Sequence, residues 1–183
     1  MSRSIPRPGR ARVDVAAMLR VDHAGEYGAV RIYEGQLAVL GESAGKSESA
    51  DMIRHMAAQE EEHLAAFDKL LNERGVRPTA LAPLWHVAGF ALGAATALMG
   101  EKAAMACTAA VEEVIDEHYA RQHERLKESE PELAAAIEKF RLEEVEHRDK
   151  ALECGAAETP GYPVFSGLIM AGCRLAIILS ERI

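Results

Sequence analysis

The chain has 183 residues, 49% of them apolar but only 5% aromatic, and a formal charge of -8. That length suits one domain with a sizeable core, and the aromatic-poor mix, in which Ala and Leu are frequent, favours helices over strands. The acidic balance argues against a nucleic-acid surface and against a general attraction to anionic lipid.

Residues 1–12 are basic, contain Pro and Gly, and are followed by no apolar run, so they read as a short flexible arm rather than a secretory signal. A transit peptide is the alternative for this Arg-containing stretch. From residue 13 onward the chain reads as a single domain. Cys107, Cys154 and Cys173 are scattered and odd in number, with no C-x-x-C pair, which suits free thiols in a reducing, cytosolic setting.

A first helix is expected from Asp14, a candidate N-cap, to about Leu40. Its apolar seam runs Leu19, Asp22, Glu26, Val30, Tyr33, Leu37, Leu40 in steps of three and four, so these side chains share one face. Gly41 to Ser49 reads as a loop. A second helix, about Ala50 to Arg74, carries the seam Met52, Met56, Glu60, His63, Phe67, Leu70 and stops at Gly75. Pro78 and Pro83 mark a connection, and Leu84 to Gly100 is nearly free of charge. A third charged helix, about Glu101 to Lys127, has the seam Met105, Thr108, Glu112, Ile115, Tyr119, Gln122, Leu126. Ser129-x-x-Glu132 resembles a capping box for a fourth, which extends to about Glu153 with the seam Leu133, Ile137, Phe140, Glu144, His147, Ala151. Gly155 ends it, and Tyr162 to Leu179 is a last apolar segment with one charge, Arg174.

The two halves, about 14–74 and 101–153, repeat one pattern. Glu26 is followed 34 residues later by Glu60-x-x-His63, and Glu112 is followed 32 residues later by Glu144-x-x-His147. Tyr33 and Tyr119 lie seven residues past the leading Glu, and Gln36 and Gln122 ten past it. A lone Glu-x-x-His is common on a solvated helix face. Here all six polar residues sit in apolar seams, where an ionised Glu is very costly without a partner. Two divalent cations supply about four positive charges against four carboxylates. This is the inward-facing ligand set of a carboxylate-bridged dinuclear site in an all-α, ferritin-like four-helix bundle. The candidate metal ligands are therefore Glu26, Glu60, His63, Glu112, Glu144 and His147.

Other polar residues are weighed against simpler roles. Tyr33 reads as a core aromatic with a satisfied hydroxyl. Tyr119 follows His118, and the pair is a candidate electron or proton relay. Asp22 faces the same way as Glu26 and is a candidate hydrogen-bond partner of a metal-bound His, or else an ordinary helix-start acid. His23, His55, His86 and His123 read as surface or locally satisfied residues, and Glu61, Glu62, Glu113, Glu143 and Glu146 as the solvated faces of their helices. The two apolar segments fall at or below the roughly 20 residues that span a bilayer. They are expected to be two further helical segments that dip into a membrane interface, with burial against the bundle as the alternative. Gly89, Gly93 and Gly100 would permit close helix packing.

The string Leu19-Arg-Val-Asp-His-Ala-Gly-Glu26-Tyr-Gly-Ala29 resembles the opening motif of the demethoxyubiquinone hydroxylases of ubiquinone biosynthesis. So do Glu60-Glu-Glu-His63, Ala110-Val-Glu-Glu113 with His118-Tyr119, and Glu144-Val-Glu-His147. The resemblance covers nearly the whole chain after the arm. It implies a non-haem di-iron monooxygenase with two iron ions and dioxygen as co-substrate, hydroxylating the ring of a polyprenylated 2-methoxybenzoquinol. By motif, the iron ligands are the six residues named above, and His118 and Tyr119 match a pair linked in the family to substrate reduction and electron delivery. The resemblance further implies a peripheral place on the membrane that holds the quinone, on the cytoplasmic face of a bacterial inner membrane or the matrix side of a mitochondrial one. Partners would be the quinone, the membrane surface and a lipid-binding accessory protein of the pathway, with self-association left open. Two rivals stand beside it: a ferritin- or rubrerythrin-type iron oxidase or peroxidase, and a non-enzymatic helical membrane adaptor whose buried polar residues only set packing.

Overall fold

The computed structural model describes residues 14–43 and 48–183. The arm expected at 1–12 lies outside the described residues. Among the described residues the regular elements are all helical: α1 (Val15–Ser43), α2 (Glu48–Arg74), α3 (Ala82–Leu98), α4 (Glu101–Leu126), α5 (Pro131–Glu153) and α6 (Tyr162–Arg182), with one 3-10 turn at Ala156–Glu158 before α6. Asp14 caps α1 as expected, its Oδ1 accepting the Ala17 N–H at 3.0 Å. The capping box expected at Ser129 does not form. Glu130 occupies the N-cap with no side-chain cap bond, Pro131 opens the helix, and the Glu130 carboxylate instead accepts from Arg74 at 2.9 Å.

α1 packs along α2 and α4 along α5, and these two pairs form the bundle. Nearly every expected seam residue is buried; Leu37, Met52, Leu70 and Ile115 are the half-buried exceptions. One end of the core is filled by Leu40, Ile53, Met56 and Met105, the other by Leu19, Phe67, Leu126 and Ile137. The polar ligand candidates lie between these two apolar plugs, which exclude water from both ends.

α3 lies against α1 at very short range. A Cβ at Gly93 would stand 1.9 Å from the Ile32 carbonyl oxygen, and one at Gly35 would stand 2.2 Å from that of Phe90. Only glycine permits this crossing. Gly100 plays a different part from the packing expected of it: it has open space around it and a φ of +116°, and it turns the chain from α3 into α4. α6 lies on α4 and α1. Both apolar helices bury one face and present the other outward, with Leu84, Val87, Val164, Leu168 and Leu175 all more than half exposed. Burial within the bundle, the alternative weighed for these segments, therefore accounts for one face of each.

Candidate metal centre

All six ligand candidates converge, each at most 3% exposed. They form two overlapping groups: Glu26, Glu60, His63 and Glu144, and Glu60, Glu112, Glu144 and His147, with the donor atoms of each group within 4.8 Å of one another. Glu60 and Glu144 belong to both. Four helices thus supply two positions that share two carboxylates, an arrangement suited to two bridged cations.

Both imidazoles turn Nδ1 inward. His63 Nδ1 stands 3.0 Å from Glu144 Oε1 and 3.6 Å from Glu26 Oε2. His147 Nδ1 stands 3.0 Å from Glu60 Oε1 and 3.1 Å from Glu144 Oε2. Yet Glu60 Oε1, Glu144 Oε1 and His63 Nδ1 are fully buried without an aligned hydrogen bond. His147 Nδ1 and Glu144 Oε2 do bond each other, but the three unpartnered atoms crowd the same space, which fits cations better than a closed hydrogen-bond set. Without cations, protons must take their place. Burial pushes the Glu26 carboxyl up to about 7 against the pull of His63, and burial with the neighbouring Glu144 and Glu60 charges holds Glu112 well above the usual carboxylate range. Burial opposes the charged form of His147, but the close Glu144 and Glu60 carboxylates prevail and raise it to about 10; His63 is raised in the same way by Glu144, Glu26 and Glu60.

The sequence repeat becomes a reciprocal wiring around this centre. Tyr33, in the first half, donates to Glu112 Oε1 of the second at 2.8 Å; Tyr119 donates to Glu26 Oε1 of the first. Gln122 donates to Asp22 Oδ1 at 2.7 Å, and Gln36 reaches Thr108 Oγ1 at 3.4 Å and the Ala104 carbonyl at 3.1 Å. His63 Nε2 meets Glu143 Oε2 at 2.7 Å, and His147 Nε2 meets Gln59 Oε1 at 3.1 Å. Asp22 and Thr108 each precede their half's leading Glu by four residues; Gln59 and Glu143 each precede the Glu of their Glu-x-x-His by one.

Two expectations are corrected here. Asp22 does not bond a ligand histidine: its partners are Gln122 and His118, whose Nε2 is 3.2 Å away, because a residue one helical turn before Glu26 faces the neighbouring turn of α4. Burial raises its carboxyl pKa against the pull of His118. Glu143 is not merely a solvated-face acid, since it holds the outer nitrogen of His63. Gln59 was passed over altogether. The signal for both was present in the repeat, where Gln59-Glu60 and Glu143-Glu144 occupy matching places. Tyr33 is the core aromatic expected, and the partner of its hydroxyl is Glu112. His23 is buried with its Nε2 3.0 Å from Asp68 Oδ1, and the Tyr27 hydroxyl and His86 Nδ1 are hydrogen-bonded at 2.6 Å. Glu61, Glu62 and Glu146 are exposed, and Glu113 takes Arg148 at 3.0 Å.

An apolar cavity of about 510 Å³ lies among α1, α3, α4 and α6. Gly25 and Val111, the residues directly before Glu26 and Glu112, line it, together with Trp85, Leu92, Ile169 and Cys173. A smaller cavity of about 230 Å³ is lined by His118, Gln122, Arg121 and Arg125 among others.

Residues 13–180 match the family model of the ubiquinone biosynthesis protein COQ7. The chain is 62% identical over 165 residues to a 3-demethoxyubiquinol 3-hydroxylase of Rhodospirillum rubrum, covering 90% of this chain and 76% of that one. It is 51% identical over 177 residues to the mitochondrial NADPH-dependent 3-demethoxyubiquinone 3-hydroxylase of Homo sapiens, covering 94% and 80%. To the mitochondrial 5-demethoxyubiquinone hydroxylase of Saccharomyces cerevisiae it is 39% identical over 181 residues, covering 91% and 77%.

Proposed function

Because the chain belongs to the COQ7 family of ubiquinone biosynthesis proteins, we propose that its buried Glu and His centre holds two iron ions and that the apolar cavity beside it receives a polyprenylated quinol. The chain is a 3-demethoxyubiquinol 3-hydroxylase, an oxygen-dependent enzyme of ubiquinone biosynthesis. The observation that carries the metal reading is the pair of four-residue groups sharing Glu60 and Glu144. Glu26, Glu60, His63, Glu112, Glu144 and His147 are the proposed iron ligands. Iron bound there would supply dioxygen activation and electron transfer.

The chain's own residues do the rest. Leu92, Val111, Ile115 and Ile169 give the cavity a dry wall that favours an apolar ring over water. Tyr119 holds Glu26 by its hydroxyl, and the His118 imidazole joins Asp22 and Gln122 beside the smaller cavity. We assign this track as the relay of protons and electrons to the Glu26 side of the centre. The exposed apolar faces of α3 and α6 are the proposed membrane contact, which lets the prenyl tail stay in lipid while the ring enters. Neither a ferritin-type oxidase nor a packing adaptor accounts for that cavity.

The test is a deletion strain complemented with this chain. Loss of the chain is expected to accumulate the demethoxy precursor and deplete ubiquinone, since a single ring oxygen is missing. Normal ubiquinone in a strain with no other hydroxylase for this step rejects the assignment.

A further inference from the structure

The reciprocal wiring is broken at matching places, and each break puts extra charge or polarity on one side. Around Glu26 and His63 stand Asp22, buried and 3.2 Å from His118, and Glu143, 2.7 Å from His63 Nε2. Around Glu112 and His147 the equivalent places hold Thr108 and Gln59, both uncharged. Ile32 stands six residues past Glu26, where the second half has His118 six past Glu112. The fold is quasi-symmetric, but its electrostatics are not.

We infer that Glu143, facing Gln59 across the repeat, makes the Glu26–His63 position the tighter and first-filled of the two metal positions. This rests on the dinuclear reading above. With Nδ1 aimed at the cations, each ring must carry its proton on Nε2 and donate it outward. A carboxylate acceptor draws more strongly on that proton than an amide oxygen does, and so leaves more electron density on Nδ1. Glu143 also adds a negative charge near the cation, whereas Gln59 accepts the same hydrogen bond with none. Lys139 stands 3.5 Å from the other Glu143 oxygen and offsets part of that charge, but it is largely exposed, so solvent screens it. Glu143 is therefore a positioning residue acting through His63, and it need not touch substrate.

The experiment is anaerobic titration of the purified full chain with Fe(II), and separately Co(II), against a competing chelator dye, with circular dichroism to confirm that each variant is folded. Two binding steps separated by at least about tenfold are expected, since partners of this kind commonly change metal affinity by roughly 10–100-fold. Glu143→Gln is expected to weaken the tight step by about that factor and leave the weak step in place; Gln59→Glu is expected to strengthen the weak one. His147→Ala should keep the tight step and His63→Ala should lose it, and the exchanged pair Glu143→Gln with Gln59→Glu should reverse that assignment. Superimposable isotherms for the wild type and Glu143→Gln, or a tight step that survives His63→Ala, overturn the inference while two bound metals still support the dinuclear reading. Absence of stoichiometric metal in the wild type overturns that reading and this inference with it.

Discussion

Tyr119 donates its hydroxyl hydrogen to Glu26, a residue 93 positions earlier and on the other half of the repeat. Tyr33 makes the counterpart bond to Glu112 at 2.8 Å, but the residue before it is Ile32, whereas the residue before Tyr119 is His118, which bonds Asp22 and Gln122. Tyr119→Phe is expected to leave about two irons per chain bound, because the phenol is not a ligand, and to slow turnover. If the bond strengthens toward the transition state by roughly 1.5–3 kcal/mol, the loss is about 10- to 150-fold. Tyr33→Phe is expected to lower thermal stability and spare most of the turnover. Equal turnover in the wild type and Tyr119→Phe, measured by quinol hydroxylation, would remove the relay role.

The metal-free protein should become less stable as pH rises. Glu26 has its pKa raised from 4.5 to about 7 by burial, so the folded chain holds a proton that the unfolded chain has already released. The stability tied to that proton is present near pH 4.5 and is lost through about pH 7. His147, raised from 6.5 to about 10 by the close Glu144 and Glu60 carboxylates against the effect of burial, contributes stability below 6.5 that is lost through about 10. The two windows run in the same direction. Cations compete with these protons, so metal affinity should rise with pH, with protons released on binding. Thermal melting of the chelator-treated chain between about pH 6 and 9, with calorimetry in buffers of different ionisation enthalpy, checks both signs. A melting temperature that climbs with pH in the metal-free chain would contradict this electrostatic account.

Much of the centre was legible in the sequence because its logic is local. Steps of three and four place Glu26, Glu60, Glu112 and Glu144 in apolar seams, and an ionised carboxylate there needs a counter-charge. The partners that act across the bundle were less so. Whether Asp22 meets a ligand histidine or His118 depends on the rotation of α4 against α1, which helical periodicity within one segment does not encode. The capping box expected at Ser129 fails for a similar reason: Pro131 moves the helix start by one residue, and Arg74 from another helix captures Glu130. The two apolar segments were recognisable as segments, but which face α3 buries depends on glycine contacts with α1 made only after folding.

Those contacts give a paired test. Gly93→Ala places a methyl 1.9 Å from the Ile32 carbonyl oxygen, so α3 must move away from α1. Overpacking of this kind costs about 1–3 kcal/mol, or several degrees of melting temperature in a domain of this size. Gly167→Ala, with open space around its position in α6, should be neutral or stabilising by about 0.5–1 kcal/mol. Equal melting temperatures for the two variants would refute the close crossing.

Membrane contact is best tested at Val87 and Val164, which are 65% and 70% exposed and belong neither to the core nor to the cavity wall. Phe90 and Leu92 are poorer choices, since Phe90 lies under Arg31 and Leu92 lines the cavity. The double variant Val87→Glu with Val164→Glu should fold normally and float poorly with vesicles. Each apolar side chain inserted in lipid contributes roughly 1.5–3 kcal/mol, so partitioning should fall by at least about a hundredfold. Unchanged flotation would place the membrane contact elsewhere.

The sharpest consequence of the geometry concerns which ligands are shared. Glu60 and Glu144 each belong to both groups of donor atoms, whereas Glu26 and His63 belong to one and Glu112 and His147 to the other. If both positions hold a cation as proposed, removing a shared carboxylate would deprive both of a ligand and of half a charge each. Removing a terminal one leaves the other position with its full set. Glu60→Ala and Glu144→Ala are therefore expected to lose both irons, and Glu26→Ala and Glu112→Ala to retain about one, while all four keep their helical signal because apolar plugs at both ends of the bundle are untouched. Turnover should vanish in all four, so activity alone does not separate them; metal analysis with Mössbauer spectra does. Two irons in Glu60→Ala or Glu144→Ala would mean that the carboxylate removed is not a required bridge. A uniform loss of both irons in all four would mean that the two positions fill only as a unit, against the unequal affinities inferred from Glu143 and Gln59.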